Sequence, residues 1–298
     1  MPPSPQSLLS TLRAFIASDA QLQIVRSFRA APSSPASTPP LKSLYVLDSS
    51  FNPPTLAHLR ICTSALRDDR HDSGQRQRLL LLLATQNADK PAKPAVFEQR
   101  LSMMCLFAEH LQHAVSEERE EQNVADAGPV EVDIGVTKLP IFVDKVKEIA
   151  GCKEYRGDEE VEQVHLIGFD TLVRLLDTRY YPPEHTLKPL EALFGRHRVR
   201  ATRRLDDKWG CRREQDEYVE AVAQGKREHE DGKKEWAEKI HLVEGRKEGE
   251  EAVSSTKVRE AIASGDKSAL ERLVPGSIAN WILDFGLYKP DAPKEESS

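Results

Sequence analysis

Long apolar runs are scarce in this chain of 298 residues. The longest strongly apolar one, Leu79 to Ala84, falls far short of the roughly 20 residues a membrane-spanning helix needs, which excludes a helix that crosses a bilayer. Cysteine is sparse too. The four copies, Cys62, Cys105, Cys152 and Cys211, are scattered without any Cys-x-x-Cys pair, which argues against a disulfide framework and a structural zinc site and fits a reducing compartment. Nor is there an excess of positive charge. With 42 Lys and Arg against 48 Asp and Glu, the formal net charge is −6, so nothing global draws the chain to nucleic acid or an anionic membrane surface. Any anion site has to be a local positive patch. No internal repeat stands out.

Hydrophobic residues make up 39% of the chain and charged residues 30%, a balance that suits one large soluble α/β domain with insertions. Short apolar runs near 43–48, 79–84, 130–136, 164–168, 198–202 and 240–244 alternate with helical patterns. That alternation predicts a Rossmann-like, doubly wound parallel sheet, which binds ligands beyond the carboxyl ends of its strands at the topological switch point. Asp48-Ser49-Ser50 and Gly168-Phe169-Asp170 fall at two such ends, so one crevice can contain both.

Before the first of these runs, residues 7–29 carry an amphipathic pattern (Leu8, Leu9, Leu12, Phe15, Ile16, then Leu22, Ile24, Val25, Phe28) read as a docking helix, with a transit peptide as the alternative. Ala31 to Pro40, rich in Pro, Ser, Ala and Thr, reads as a flexible linker. Residues 1–40 are therefore expected to be an N-terminal helix and linker, 41–290 the domain, and 291–298 a disordered tail. Ser116 to Gly128 is acidic and reads as a helix end and surface loop. Residues 205–239, densest in charge from Arg212 to Lys239, read as a charged insertion forming a solvated helix across the domain.

Two segments carry the chemistry. In Ser49-Ser50-Phe51-Asn52-Pro53-Pro54-Thr55-Leu56-Ala57-His58-Leu59-Arg60 an apolar strand gives way to a helix, which gathers backbone amides and His58 at a helix N-terminus, where phosphate binds. In isolation a histidine there is more often a cap or a packed side chain. Its place three residues after Thr55 and six after Asn52, beside two stiffening prolines, favours function. An imidazole so placed can donate to a phosphate oxygen without forming a covalent bond. The second segment, Val253-Ser254-Ser255-Thr256-Lys257-Val258-Arg259, opens another helix with three hydroxyls and two cations. An ordinary N-cap explains Ser254, Ser255 and Thr256 equally well, but capping and phosphate binding use the same unpaired amides, and Lys257 and Arg259 tip the reading toward phosphate.

Together these segments resemble the nicotinamide/nicotinate mononucleotide adenylyltransferases, a branch of the nucleotidyltransferases with a (His or Thr)-x-x-His motif and a Ser-Ser-Thr-x-x-Arg motif. Thr55, Ala57 and His58-Leu59-Arg60 look like the eukaryotic variant, while Ser49 stands where the family usually has glycine. Val164-His165-Leu166-Ile167-Gly168-Phe169-Asp170-Thr171-Leu172 resembles the family's strand ending in Gly-x-Asp. Leu273-Val274-Pro275-Gly276-Ser277-Ile278-Ala279-Asn280-Trp281-Ile282, with Gly286-Leu287-Tyr288, resembles its C-terminal signature.

The resemblance implies that AMP passes from ATP to a pyridine mononucleotide with release of pyrophosphate, forming NAD or its deamido form, with Mg²⁺ carried mainly by ATP. It implies catalytic roles for His58, Lys257 and Arg259. Nucleotide contacts are implied for Ser49, Ser50, Phe51, Asn52, Thr55, Gly168, Asp170, Arg203, Ser254, Ser255 and Thr256, with no metal-ligating residue. Asp170 would accept from ribose hydroxyls; Arg204 competes with Arg203 as the nucleotide arginine. Lys90, Lys93 and Arg100 read either as a mobile basic loop running into a helix that begins near Arg100, or as solvated charges. The family's stacking tryptophan is missing from Val136 to Val143, where Phe142 or another ring is expected to substitute, and Met103-Met104 reads as core.

The expected location is cytoplasmic or nuclear, with mitochondria open. Two alternatives keep the fold: adenylyl or cytidylyl transfer to another phosphorylated acceptor, and a nucleotide-binding or ATP-hydrolysing module that contacts a protein partner. Neither nucleic acid nor a membrane is expected as a partner.

Overall fold

The computed structural model describes residues 5–29, 41–68, 76–85, 95–121, 130–156, 160–205, 208–246 and 250–289. Lys90, Lys93, the 31–40 linker, the end of the acidic stretch and the 291–298 tail lie outside them. Among the described residues seven strands form one sheet: β1 (Leu22–Phe28), β2 (Ser43–Asp48), β3 (Arg78–Ala84), β4 (Glu131–Thr137), β5 (Glu162–Gly168), β6 (Arg198–Thr202) and β7 (Ile240–Val243). Their order is β1-β4-β3-β2-β5-β6-β7. Every pairing is parallel except β1 with β4. The chain winds outward from β2 through β3 to β4, then returns to β2's other flank for β5, so the switch point lies between β2 and β5.

The helices are α1 (Pro5–Ala17), α2 (Leu56–Asp68), α3 (Phe97–Glu121), α4 (Phe142–Gly151), α5 (Phe169–Leu175), α6 (Glu191–Phe194), α7 (Arg212–Ala223), α8 (Ser255–Ser264), α9 (Lys267–Leu273) and α10 (Gly276–Asp284). Side chains alternate across a strand, so the unbroken apolar run of β3 needs cover on both faces. Leu79, Leu81 and Leu83 pack with residues of α1–α3 and α8–α10, whereas Leu80 and Leu82 pack with Ile149 of α4 and Tyr155. Beyond the switch point Val199 and Ala201 join α4–α7 in a separate cluster.

Three expectations are corrected. Residues 22–28 are not the second half of an amphipathic helix: they form β1, antiparallel to β4, and the sheet therefore begins ahead of residue 41. A bulge between Ile24 and Arg26 breaks the two-residue period, which leaves Leu22, Val25 and Phe28 at helix-like spacing. The charged stretch is not one solvated helix. It is the β6–β7 crossover, where α7 ends at Ala223 and short 3₁₀ turns follow at Glu228–Glu230 and Lys234–Lys239. Trp236, 2% exposed, stacks on Phe194 with ring centroids 5.2 Å apart, so the crossover contributes to the core. Finally, α3 starts at Phe97, ahead of Arg100, whose Nε donates to Ala95 O at 2.7 Å.

At the amino ends of β3 and β4 the interior contains a charge pair. Asp133 is fully buried and accepts from Arg78 Nε at 2.7 Å, Tyr155 OH at 3.0 Å and Ser27 Oγ at 2.5 Å. These donors come from β3, the turn after α4, and β1, so one carboxylate links three segments. Asp133→Ala strands the buried Arg78 guanidinium and should lower stability by about 3–5 kcal/mol, read as a shift in the urea midpoint.

Candidate active site

A cavity of about 310 Å³ opens beyond the carboxyl ends of β2, β5, β6 and β7. Its wall includes Ser49, Thr55, His58, Gly168, Asp170, Arg203, Ser254 and Ser255, so residues from both motifs and the Gly-x-Asp turn meet there. The amino ends of α2, α5 and α8 converge on it. Each such end presents backbone N–H groups with no partner inside the helix, and together they make an anion-binding wall.

His58 sits in the first turn of α2. Its Nδ1 accepts the backbone N–H of Thr55 at 3.0 Å, with Thr55 Oγ1 2.8 Å from the same nitrogen. A nitrogen that accepts an N–H carries its lone pair, so the ring proton resides on Nε2. That nitrogen lies 3.0 Å from Ser49 Oγ at the cavity wall. Burial, reinforced by the charge of Arg204, pushes the imidazole down to about 4. His58 is thus a neutral, oriented N–H donor at neutral pH. Ser49, in place of the family's glycine, puts a hydroxyl beside that donor.

Asp170, in the first turn of α5, accepts from Arg204 Nε at 2.9 Å. Gly168 makes room for this arrangement, since a Cβ there would lie 2.4 Å from Asp170 Oδ1. Arg203 lines the cavity, but its guanidinium is drawn to Arg212 O at 3.1 Å and Asp216 Oδ1 at 2.5 Å. Arg204 is therefore the arginine that faces Asp170 and acts on His58.

The second motif divides its labour. Ser254 caps α8, accepting from Lys257 N at 3.3 Å. Ser255 Oγ donates to Pro53 O at 2.8 Å, and Arg259 Nη1 donates to Asn52 O at 2.7 Å, so the two motifs are bonded directly to each other. Lys257 is not among the residues that line the cavity; its Nζ lies 3.3 Å from Glu251, which is. Thr256 is exposed and accepts from Arg259 at 3.0 Å.

Three of the nucleotide contacts expected from the first motif also stand off the wall. Ser50 is exposed. Phe51 is fully buried, with φ of 43°, and packs between His58 and Phe107 at centroid distances of 5.4 and 6.5 Å. Asn52 Oδ1 accepts from Ala95 N at 2.9 Å and Tyr288 OH at 2.8 Å. Phe142 packs its ring 4.9 Å from that of His165.

Some wall residues carry no motif signal. Arg246 donates to Leu205 O at 2.5 Å and Glu250 O at 2.6 Å, and Glu250 in turn pairs with Arg60 of α2 at 2.8 Å. Asp48, the last residue of β2, pairs with Lys145 of α4 at 2.5 Å. Only the position of Asp48 next to the first motif marks it in the sequence; nothing there marks Lys145.

A doubly wound sheet with three helix amino ends and a neutral histidine donor at its switch point is the architecture of a nucleotide-handling α/β protein. The cytidylyltransferase-like family model matches residues 46–261. A Schizosaccharomyces pombe protein described as "putative nicotinamide mononucleotide adenylyltransferase" is 34% identical over 248 residues, 83% of this chain and 87% of that protein. The chain belongs to the cytidylyltransferase-like nucleotidyltransferases and, within them, to the nicotinamide/nicotinate mononucleotide adenylyltransferases. Among solved structures, the Plasmodium falciparum nicotinic acid mononucleotide adenylyltransferase complexed with NaAD aligns over 83% of this chain and 97% of that one, at 11% identity and a TM-score of 0.49. The same enzyme complexed with APC aligns at 10% identity and a TM-score of 0.49, over the same shares of the two chains.

Gly168→Ala should push the Asp170 carboxylate off Arg204 and weaken nucleotide binding by about three- to tenfold, with a stability loss of about 1–3 kcal/mol. Titration with ATP alongside a thermal melt measures both.

Proposed function

We propose that the chain transfers AMP from ATP to the 5′-phosphate of a pyridine mononucleotide, forming a pyridine dinucleotide and pyrophosphate. The observation that carries this reading is the direct bonding of the two motifs, Arg259 to Asn52 O and Ser255 to Pro53 O, which brings the amino ends of α2 and α8 to one crevice. A phosphate oxygen of the mononucleotide attacks the α-phosphorus of ATP in line, and the bond to the pyrophosphate oxygen breaks. No protein nucleophile is needed, so catalysis is positioning plus stabilisation of charge on the equatorial oxygens.

In this reading His58 Nε2–H donates to an α-phosphate oxygen, and Thr55 fixes the tautomer that makes this possible. The free amides at the start of α8 take further phosphate oxygens, while Asp170 accepts from a ribose hydroxyl. Arg259 shapes the phosphate turn by holding a carbonyl in place, and Lys257 supplies charge from the rim. Among the described residues no group of three or more His, Cys, Asp and Glu side chains could hold a metal ion. The wall carboxylates each have a cation partner, so a Mg²⁺ ion would take its ligands mainly from the nucleotide phosphates, where it would neutralise developing charge.

Purified protein given ATP and nicotinamide or nicotinate mononucleotide should yield dinucleotide and pyrophosphate in equal amounts. Product with some other phosphorylated acceptor, or hydrolysis of ATP alone, would replace this reading with another. His58→Ala should lower kcat by about 10²- to 10³-fold with little loss of ATP affinity, as expected for a donor that acts on transition-state charge. Because His58 has already lost its imidazolium proton above about pH 4 and keeps only the Nε2–H, it should add no inflection to the kcat profile near the ordinary histidine value of about 6.5. The substrates' phosphates titrate at about 6, so only an inflection that disappears in a His58→Asn variant would mean that His58 works as an acid or base.

A further inference from the structure

The four carboxylates on the cavity wall are each matched by a cation: Asp48 with Lys145, Asp170 with Arg204, Glu244 with Arg203 and Arg212, and Glu251 with Lys257. Three of these pairs are open to solvent on at least one side. Asp48–Lys145 is the exception, with side chains 16% and 10% exposed at a separation of 2.5 Å. Solvent therefore screens this pair least, and each of its charges acts most strongly on whatever enters the crevice.

Asp48 is also the worst-placed carboxylate for a phosphate site. It ends β2 at the switch point and immediately precedes Ser49, whose hydroxyl lies 3.0 Å from the His58 donor nitrogen. A bare negative charge there would oppose the field of the α2 amino end. Neither residue takes part in the chemistry proposed above, and Lys145 comes from the opposite side of the sheet, on a helix that contributes to no motif.

We propose that Lys145 is a positioning residue of the nucleotide site. It neutralises and holds Asp48, so that a polyphosphate can settle at the amino ends of α2 and α8 without facing an unpaired carboxylate. The inference rests on the reading that this crevice takes a nucleoside triphosphate. Its consequence is that polyphosphate affinity is set partly by a side chain that need not touch the ligand. Asp48 in turn anchors Lys145, which would otherwise be a largely desolvated, unpaired ammonium beneath the crevice.

The test is a double-substitution cycle read by equilibrium binding of ATP. Lys145→Met should weaken ATP binding by tenfold or more while leaving kcat at saturation within about threefold. Asp48→Asn should tighten binding about threefold, because the ammonium then stands uncompensated beside the phosphates. The double variant should return to within about twofold of the original affinity. Such rescue cannot arise if Lys145 merely fills space, since removing the carboxylate restores no packing. Unchanged affinity in Lys145→Met, or a loss that Asp48→Asn does not repair, overturns the proposal. A thermal melt of each variant identifies any that fails to fold, and Lys145→Arg then stands in for Lys145→Met: it keeps the charge and should bind ATP nearly as well, whereas a tenfold loss would equally overturn the role. If the unsubstituted chain does not bind ATP, the triphosphate reading falls along with the inference; if it binds and the cycle is additive, only the inference falls.

Discussion

The site depends on one clamp across the chain. The turn at residues 52–53 is gripped from the far end of the sequence by Arg259 on Asn52 O, Ser255 on Pro53 O and Tyr288 on Asn52 Oδ1. Separations of 207, 202 and 236 residues mean that these bonds form only when the fold is complete. Loop-closure entropy is paid by the core that brings α8–α10 against α2 and α3, and the hydrogen bonds then fix the turn's shape. Where that turn goes, the amino end of α2 follows, and with it the orientation of His58. The residues that look most like phosphate ligands are partly spent on building the pocket.

Charge in the crevice follows the same economy. An acidic protein offers polyphosphate no long-range attraction, and the wall itself is close to balanced, carboxylate against cation. What remains to hold an anion is dipolar: free amides at helix starts and a neutral imidazole with its proton pointing inward. Dipoles fixed by the backbone need no reorganisation when charge develops, which suits a reaction whose difficulty is the crowding of negative oxygens.

The fold was largely legible, and the reasons it was not wholly so are particular. The central strands announce themselves because a strand covered on both faces must be apolar at every position, as Leu79 to Leu83 are. β1 did not, because its bulge replaces a two-residue period with one closer to three. Within the site, the motif turns could be placed beside strand ends from local order alone. The direction of each side chain could not. Arg203 and Arg204 are neighbours whose guanidinium groups go separate ways, one to Asp216 and one to Asp170, and nothing local distinguishes them. Lys145 lies 97 residues from Asp48, and such a pairing exists only in three dimensions. Phe51 and Asn52 belong to a phosphate-binding motif yet serve packing and bracing, which their motif membership concealed.

The antiparallel strand at the sheet's margin reaches beyond architecture. Residues 22–28 cover the outer hydrogen-bonding edge of β4, and α1 before them packs its Leu8, Leu12 and Phe15 into the main core. A leader cut away at the Pro/Ser-rich linker would take both along, baring a row of unsatisfied amides and carbonyls next to an apolar surface. Such an edge is a template for intermolecular strand pairing. A recombinant form trimmed to the apparent domain start at residue 41 would thus invite self-association.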